Sequence, residues 1–180
     1  MIDTERRKKL AYHLRHLSIG LITNDEYENY ITEDISFGWL PEQYYRAKEA
    51  EFDDAIIKPM LELSWFLYSD LKEHKLIGKH KLTENQIKDI ARYILFLHSE
   101  NKYEWKYIDL TNPLMRFSFK DIILSVITLG KHYQNKLNER EKEYAELKNN
   151  ADYEYWPFIN RKQYEEELKN QPFLKEKANC

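Results

Sequence analysis

Apolar side chains recur along the chain at the three-and-four spacing of amphipathic helices. Leu10, Leu14 and Leu17 mark a first helix, which Gly20 should end. Tyr27, Tyr30, Ile31 and Ile35 mark a second, and Pro41 opens a short one over "PEQYYRAKEA". Phe52, Ile56, Met60, Leu63, Leu67 and Leu71 run through a long third region. Pro59 should kink or split it, because proline removes a backbone donor and clashes with the preceding turn. Ile87, Ile90, Ile94 and Leu97 form the next helix. Phe119, Ile122, Val126, Leu129, Tyr133 and Leu137 form the most regular stripe, which fades into the charged "NEREKEYAELKNN" with only Tyr144 and Leu147 on the face. Unbroken, that helix would hold about 30 residues and reach about 45 Å. Gly130, close to the stripe, is expected to let another helix approach.

Helix starts carry a second, independent signal. "ITNDEY" sets Thr23 as an N-cap, with Glu26 reaching back and Ile22 and Tyr27 placed to pack as a hydrophobic staple. The same arrangement recurs at Thr83 and Gln86, at Ser118 and Asp121, and at Asn160 and Gln163. Brief alternation appears only in "KYEWKYIDL", a connector rather than a strand. The pattern therefore predicts an all-α fold: one irregular bundle of about six to eight helices, with a C-terminal helical tail packed back on the body. Residues 1–38 read as an N-terminal helical hairpin, 41–149 as the main bundle, and 150–180 as an aromatic clasp with a short final helix, all within one domain.

Composition narrows the picture. The chain has 180 residues, only 4 Gly and 5 Pro, and a net charge of −3, which opposes an all-β fold and any general attraction to polyanions. Cys180 is the sole cysteine, so an internal disulfide or a cysteine-based zinc site is excluded. The N-terminus lacks the apolar core of a secretory signal, and no apolar run approaches the roughly 20 residues of a membrane span. A cytoplasmic protein of bacterial or phage type is expected, with no membrane partner and no cofactor or metal.

Candidate chemistry is sparse. His13 and His16 lie one turn apart, a spacing two metal ligands can use, but nothing nearby completes a site. The basic helix "ERRKKLAYHLRHL" offers Arg6, Arg7, Lys8, Lys9 and Arg15 to phosphates, or simply to solvent. Acids at Glu49, Glu51, Asp53 and Asp54 could do acid–base work or form a solvated face. "RYILFLH", Arg92 to His98, resembles the Arg-x5-His signature of HEPN ribonucleases, and "RKKLAYH" has the same form. That resemblance implies a helical ribonuclease acting on a phosphodiester through Arg92 and His98. "LSIGLITNDEYENYI" resembles the SHOCT helical hairpin, which implies an interaction or oligomerisation element.

The aromatic load stands out: 4 Trp, 14 Tyr and 8 Phe. Trp39, Tyr44 and Tyr45, then Tyr103 and Trp105, then Tyr155, Trp156 and Phe158 cluster in connectors outside the strongest helical stripes. They are expected either to seal the ends of the bundle or to form a partner-binding surface. Around "YEYWPF" the chain is expected to run extended, with Trp156 and Phe158 anchoring the tail. A non-enzymatic protein–protein interaction protein follows as the leading expectation, with homo-oligomerisation open. The ribonuclease and the nucleic-acid binder are the alternatives. Thr23→Ala should cost about 1 kcal/mol through loss of the cap. Amide exchange between Asn24 and Tyr30 should then accelerate; unchanged protection there would contradict the helix start.

Overall fold

A computed structural model describes residues 1–39, 53–105 and 119–170. The expected helix at Pro41, the aromatics Tyr44 and Tyr45, and the cap at Ser118 lie outside the described residues. The architecture is all-α. Among the described residues the α-helices are α1 (Thr4–Ser18), α2 (Asn24–Asp34), α3 (Ile57–Trp65), α4 (Glu84–His98), α5 (Phe119–Ile127), α6 (Lys131–Asn150) and α7 (Arg161–Asn170).

Local sequence sets the ends of the first two helices. The Arg6 amide donates to the Asp3 carboxylate at the start of α1. At its end Gly20, with φ +68°, lets the Gly20 and Leu21 amides return to the Leu17 and His16 carbonyls, both at 2.9 Å. A side chain there would collide with Ile77 Cγ2. Thr23 and Glu26 close a full capping box on α2, and Thr83 and Gln86 do the same on α4. The start of α2 is also pinned to the loop before α4. Thr23 and Lys75 form an isolated antiparallel bridge, and buried Asn24 exchanges hydrogen bonds with the His74 backbone at 3.1 and 2.7 Å.

The core lies where α1, α2, α3 and α4 meet. Leu10, Leu14 and Leu17 pack with Tyr27 and Ile31, with Met60 and Leu61, and with Ile90 and Phe96. α1 packs chiefly on α4, and then on α2. A charge sits among these apolar groups. Arg7 is completely buried, and its Nε and Nη2 donate to the two Asp54 carboxylate oxygens at 2.6 and 2.9 Å. Its Nη1 donates to the Ser99 and Asn101 carbonyls at 3.3 and 2.8 Å, and the guanidinium lies 5.3 Å from the Phe96 ring centre. Asp54 also accepts the Asp3 amide at 2.9 Å. Beside it, Arg6 makes a two-pronged pair with Asp53 and covers the Phe37 ring.

Four sequence expectations need correction. The third region is not one long helix through Leu71: α3 ends at Trp65, and Leu71 stands in solvent. Pro59 occupies the first turn of α3, where a missing amide costs nothing, so it causes no kink. The stripe from Phe119 does not run unbroken either. Leu129 and Gly130 take φ +49° and +84° and separate α5 from α6. The Gly130 amide closes the end of α5 on the Ser125 carbonyl at 2.7 Å. Among the described residues none lies within 4 Å of a Cβ placed on Gly130; there the glycine makes a turn and not a close helix approach. α5 instead folds against α6, with Asp121 accepting from Lys136 at 2.8 Å and His132 at 2.9 Å. That leaves Ile122, Val126 and Leu129 exposed, while Tyr133 and Leu137 are half-buried.

Burial acts to raise the Asp54 carboxyl, but the hydrogen bonds from Arg7 and the Asp3 amide, with the Arg7 charge, hold it below the ordinary value of 3.8. The pair therefore contributes stability that is present above that value and lost as pH falls through the lower folded value. Asp54→Ala should cost about 3–5 kcal/mol at neutral pH, because it leaves a buried guanidinium unpaired. Urea unfolding will read this as a lower midpoint at constant slope. The variant should also lose part of the acid-dependent fall in stability; an unchanged midpoint would show that Arg7 finds an equal partner.

Candidate functional site: an aromatic cleft

The segment after α6 is compact, contrary to the extended run expected. Asp152 starts a short 3₁₀ turn, Tyr153–Tyr155, by accepting the Glu154 amide on its side chain and the Tyr155 amide on its carbonyl. The Phe158 amide then returns to the Tyr155 carbonyl at 2.9 Å around the cis Trp156–Pro157 bond. The Asp152 amide meets the Ile159 carbonyl at 3.0 Å and closes the loop. Trp156, with φ −49° and ψ 135°, keeps the high ψ that a following proline imposes. α7 begins where its cap predicts: Asn160 Oδ1 accepts the Gln163 amide at 3.1 Å. The Gln163 side chain reaches back to the Ile159 amide rather than to that of Asn160.

Aromatic packing fixes this loop on the body. Phe158 is fully buried, 5.0 Å from Phe96 and 5.6 Å from Tyr164 in edge-to-face contacts. Its carbonyl accepts from buried Trp105 Nε1 at 3.1 Å. Trp156 is half-buried, and its Nε1 meets the hydroxyl of buried Tyr103 at 3.2 Å. Its ring stands nearly perpendicular to Tyr93, at 5.1 Å, and to Tyr103, at 6.2 Å. Arg92 Nε donates to the Trp156 carbonyl at 2.6 Å, while its Nη2 pairs with Asp89 at 2.6 Å. Tyr155 packs on Tyr164, 5.5 Å between ring centres.

The other side of these rings lines an open cleft of about 730 Å³ between α3, α4 and the loop. Tyr93, Tyr103, Trp105 and Trp156 form its walls. Phe66 and Tyr153 stand at its mouth, 82% and 71% exposed. Tyr153 is set by Trp105, 4.7 Å away. Glu62, Lys88, Asp89, Arg92 and Glu154 supply its charges. Burial, then Asp89, pushes the Tyr93 phenol above its ordinary range, so this hydroxyl is neutral at physiological pH.

The remaining candidates are dispersed. Arg92 lines the cleft, and His98 is not among its lining residues; desolvation, then the charges of Lys8 and Arg15, lowers the His98 imidazole. Of the basic residues on α1, Arg6 and Arg7 turn inward onto Asp53 and Asp54, and Lys9 pairs with Asp34 at 2.9 Å. Lys8 and Arg15 are exposed. Buried His13 donates its Nε2–H to the Asp34 carboxylate at 2.7 Å and stacks on Tyr30, while His16 contacts Tyr12. Trp39 is partly exposed beside Ser36, whose hydroxyl donates to the Trp39 carbonyl at 2.5 Å. Phe66, Tyr93 and Tyr153 were not singled out from the sequence. The ring-rich "YEYWPF" points to the region; "SWFLY", with Trp65, Phe66 and Tyr68, is ring-rich too, but it lies within the apolar stripe of the third region, so its rings read as core. No protein-family model, curated protein or solved structure matches the chain.

Trp156→Ala removes the contacts to Tyr93 and Tyr103. It should lower stability by about 3 kcal/mol and the melting temperature by about 6–12 °C. Limited proteolysis should then cut within the last thirty or so residues before the rest of the chain. A variant that melts and digests like the wild type would show that the loop is not held by this ring.

Proposed function

We propose that this chain is a non-enzymatic protein–protein interaction protein, of the immunity-, antitoxin- or adaptor-like kind, and that it docks its partner in the aromatic cleft. One observation carries the reading: Phe66 and Tyr153 expose large rings at the mouth of a cleft whose inner walls are locked by packing and hydrogen bonds. Rigid aromatic walls lose little entropy on binding, and aromatic anchors in pockets dominate interface energetics. Partner proteins of a bacterial or phage host are the expected occupants.

The mouth residues test this without disturbing the fold, since both are exposed. Phe66→Ala/Tyr153→Ala should melt close to the wild type yet lose the protein that the wild type retains in cross-linking from its native cells. Retention of that protein by the double variant would sink the cleft as the interface. Reproducible RNA cleavage by the wild type, abolished in His98→Ala, would replace the non-enzymatic reading with the Arg92–His98 nuclease.

A further inference from the structure

We infer that His74 and His80 form a two-imidazole site for a divalent late transition-metal ion of the nickel(II) or copper(II) class. The inference is independent of the aromatic cleft. The two rings lie on the loop between α3 and α4 with their centres 4.2 Å apart, His74 half-buried and His80 exposed. The loop is fastened at both residues. The His74 amide donates to Oδ1 of buried Asn24 at 2.7 Å, and the Asn24 amide donates to the His74 carbonyl at 3.1 Å. His80 ends a 3₁₀ turn, with its amide on the Ile77 carbonyl at 3.1 Å. His74 is also held in the form that a metal requires. Its Nδ1 lies 2.7 Å from the Lys72 carbonyl. A carbonyl only accepts, so Nδ1 carries the hydrogen and Nε2 keeps the lone pair. Ligating histidines are oriented in this way, through the nitrogen that does not bind the metal. Desolvation, then the neighbouring His74 and Lys79, lowers the His80 imidazole below its ordinary 6.5, so it too keeps a lone pair at neutral pH.

The donors and their spacing choose the ion. Imidazole suits nickel, copper and zinc, whereas magnesium and calcium take oxygen ligands. Among the described residues no third His, Cys, Asp or Glu joins the pair, so this is not the closed four-ligand cage of structural zinc. A metal–nitrogen bond of about 2.0 Å puts a ring centre about 3.1 Å from the ion, which sets two centres about 4.4 Å apart at a 90° angle and about 5.1 Å apart at the tetrahedral angle. The separation of 4.2 Å fits the right angle of tetragonal and octahedral ions. Water or donors of a bound molecule fill the remaining positions. Exposed Lys72, Lys79 and Lys81 oppose a dication, but their ammoniums sit on flexible stems in solvent and are screened by salt. Lys75 is turned away, with Nζ on the Leu21 carbonyl at 2.9 Å. The pair that spacing suggested, His13 and His16, has no such freedom: His13 is buried on Asp34.

Calorimetric titration of the full chain with nickel(II) chloride tests the site, in a Cys180→Ser background so that the single thiol does not compete. His74→Ala and His80→Ala should each weaken nickel binding about tenfold or more, because the second imidazole acts at a high effective concentration once the first has bound. His16→Ala and His132→Ala should leave the affinity unchanged, and excess magnesium should not displace the nickel. Nickel should raise the melting temperature of the parent by several degrees and leave that of the His74→Ala/His80→Ala variant where it is. Neither ring belongs to the apolar core, so the metal-free variants should melt with the parent. Should His74→Ala melt lower, through loss of the bond to the Lys72 carbonyl, exposed His80→Ala decides alone. Nickel bound as tightly by the double variant as by the parent would place the ion elsewhere and overturn the inference. Absence of binding at millimolar nickel would overturn it too. Neither result bears on the docking role of the cleft.

Discussion

The buried pair between Arg7 and Asp54 is the constraint around which the body is arranged. Four guanidinium hydrogen bonds leave Arg7, two to Asp54 and one each to the Ser99 and Asn101 carbonyls. They join three places far apart in sequence: the first turn of α1, the approach to α3, and the exit of α4. Taking two ions out of water is expensive, and hydrophobic residues of the same size often do as well for stability alone. What a bidentate guanidinium adds is direction. Its fork accepts one arrangement of Asp54 and one path of backbone after α4, so it fixes where α3 begins and where the Tyr103–Trp105 connector sets off. The cleft lies downstream of both.

This feature also shows where sequence reasoning stopped. Arg7 stands three residues before Leu10 and seven before Leu14, on the buried stripe of α1, and the acids in "EAEFDD" were visible. From the sequence Arg7 goes to phosphates or to solvent, because its basic neighbours make the whole run look like a solvated face. Nothing local says that a carboxylate 47 residues away will meet it. The helix caps at Thr23 and Thr83 and the Gly20 stop were legible for the opposite reason: donor and acceptor lie within a few residues, so the chain specifies the contact by itself. The same locality explains the misses. Pro59 reads as a breaker unless the start of α3 is known, and the start depends on Asp54. An extended path through "YEYWPF" follows from the proline rule at Trp156, but Asp152 folds the residues before it.

The candidate site was half legible for related reasons. Clustering of Tyr103, Trp105, Trp156 and Phe158 in connectors showed that the connectors matter, and these rings do meet. Sealing the bundle and lining a surface are not alternatives for these rings. The geometry gives them two sides: Phe158 and the indole of Trp105 hold the loop inward, while Tyr93, Trp156 and Tyr153 turn faces to the cleft. Sequence pattern cannot assign sides to residues in a turn, since no period of 2 or 3.6 applies there. Arg92 reads as a catalytic candidate by spacing, yet its two hydrogen bonds make it a strut between α4 and the loop.

One wall of the cleft is also the fastening of the C-terminal loop, since Trp156 serves both. Occupancy and fastening are therefore thermodynamically linked. Any ligand that requires the Trp156 wall binds only the fastened loop and shifts the equilibrium toward it, by an amount set by its concentration relative to its dissociation constant. The linkage would be reciprocal: whatever peels the loop from α4 would dismantle that wall and weaken the hold on a bound ligand. Residues 153–158 would then couple the closing of the loop to the filling of the cleft through a single free energy.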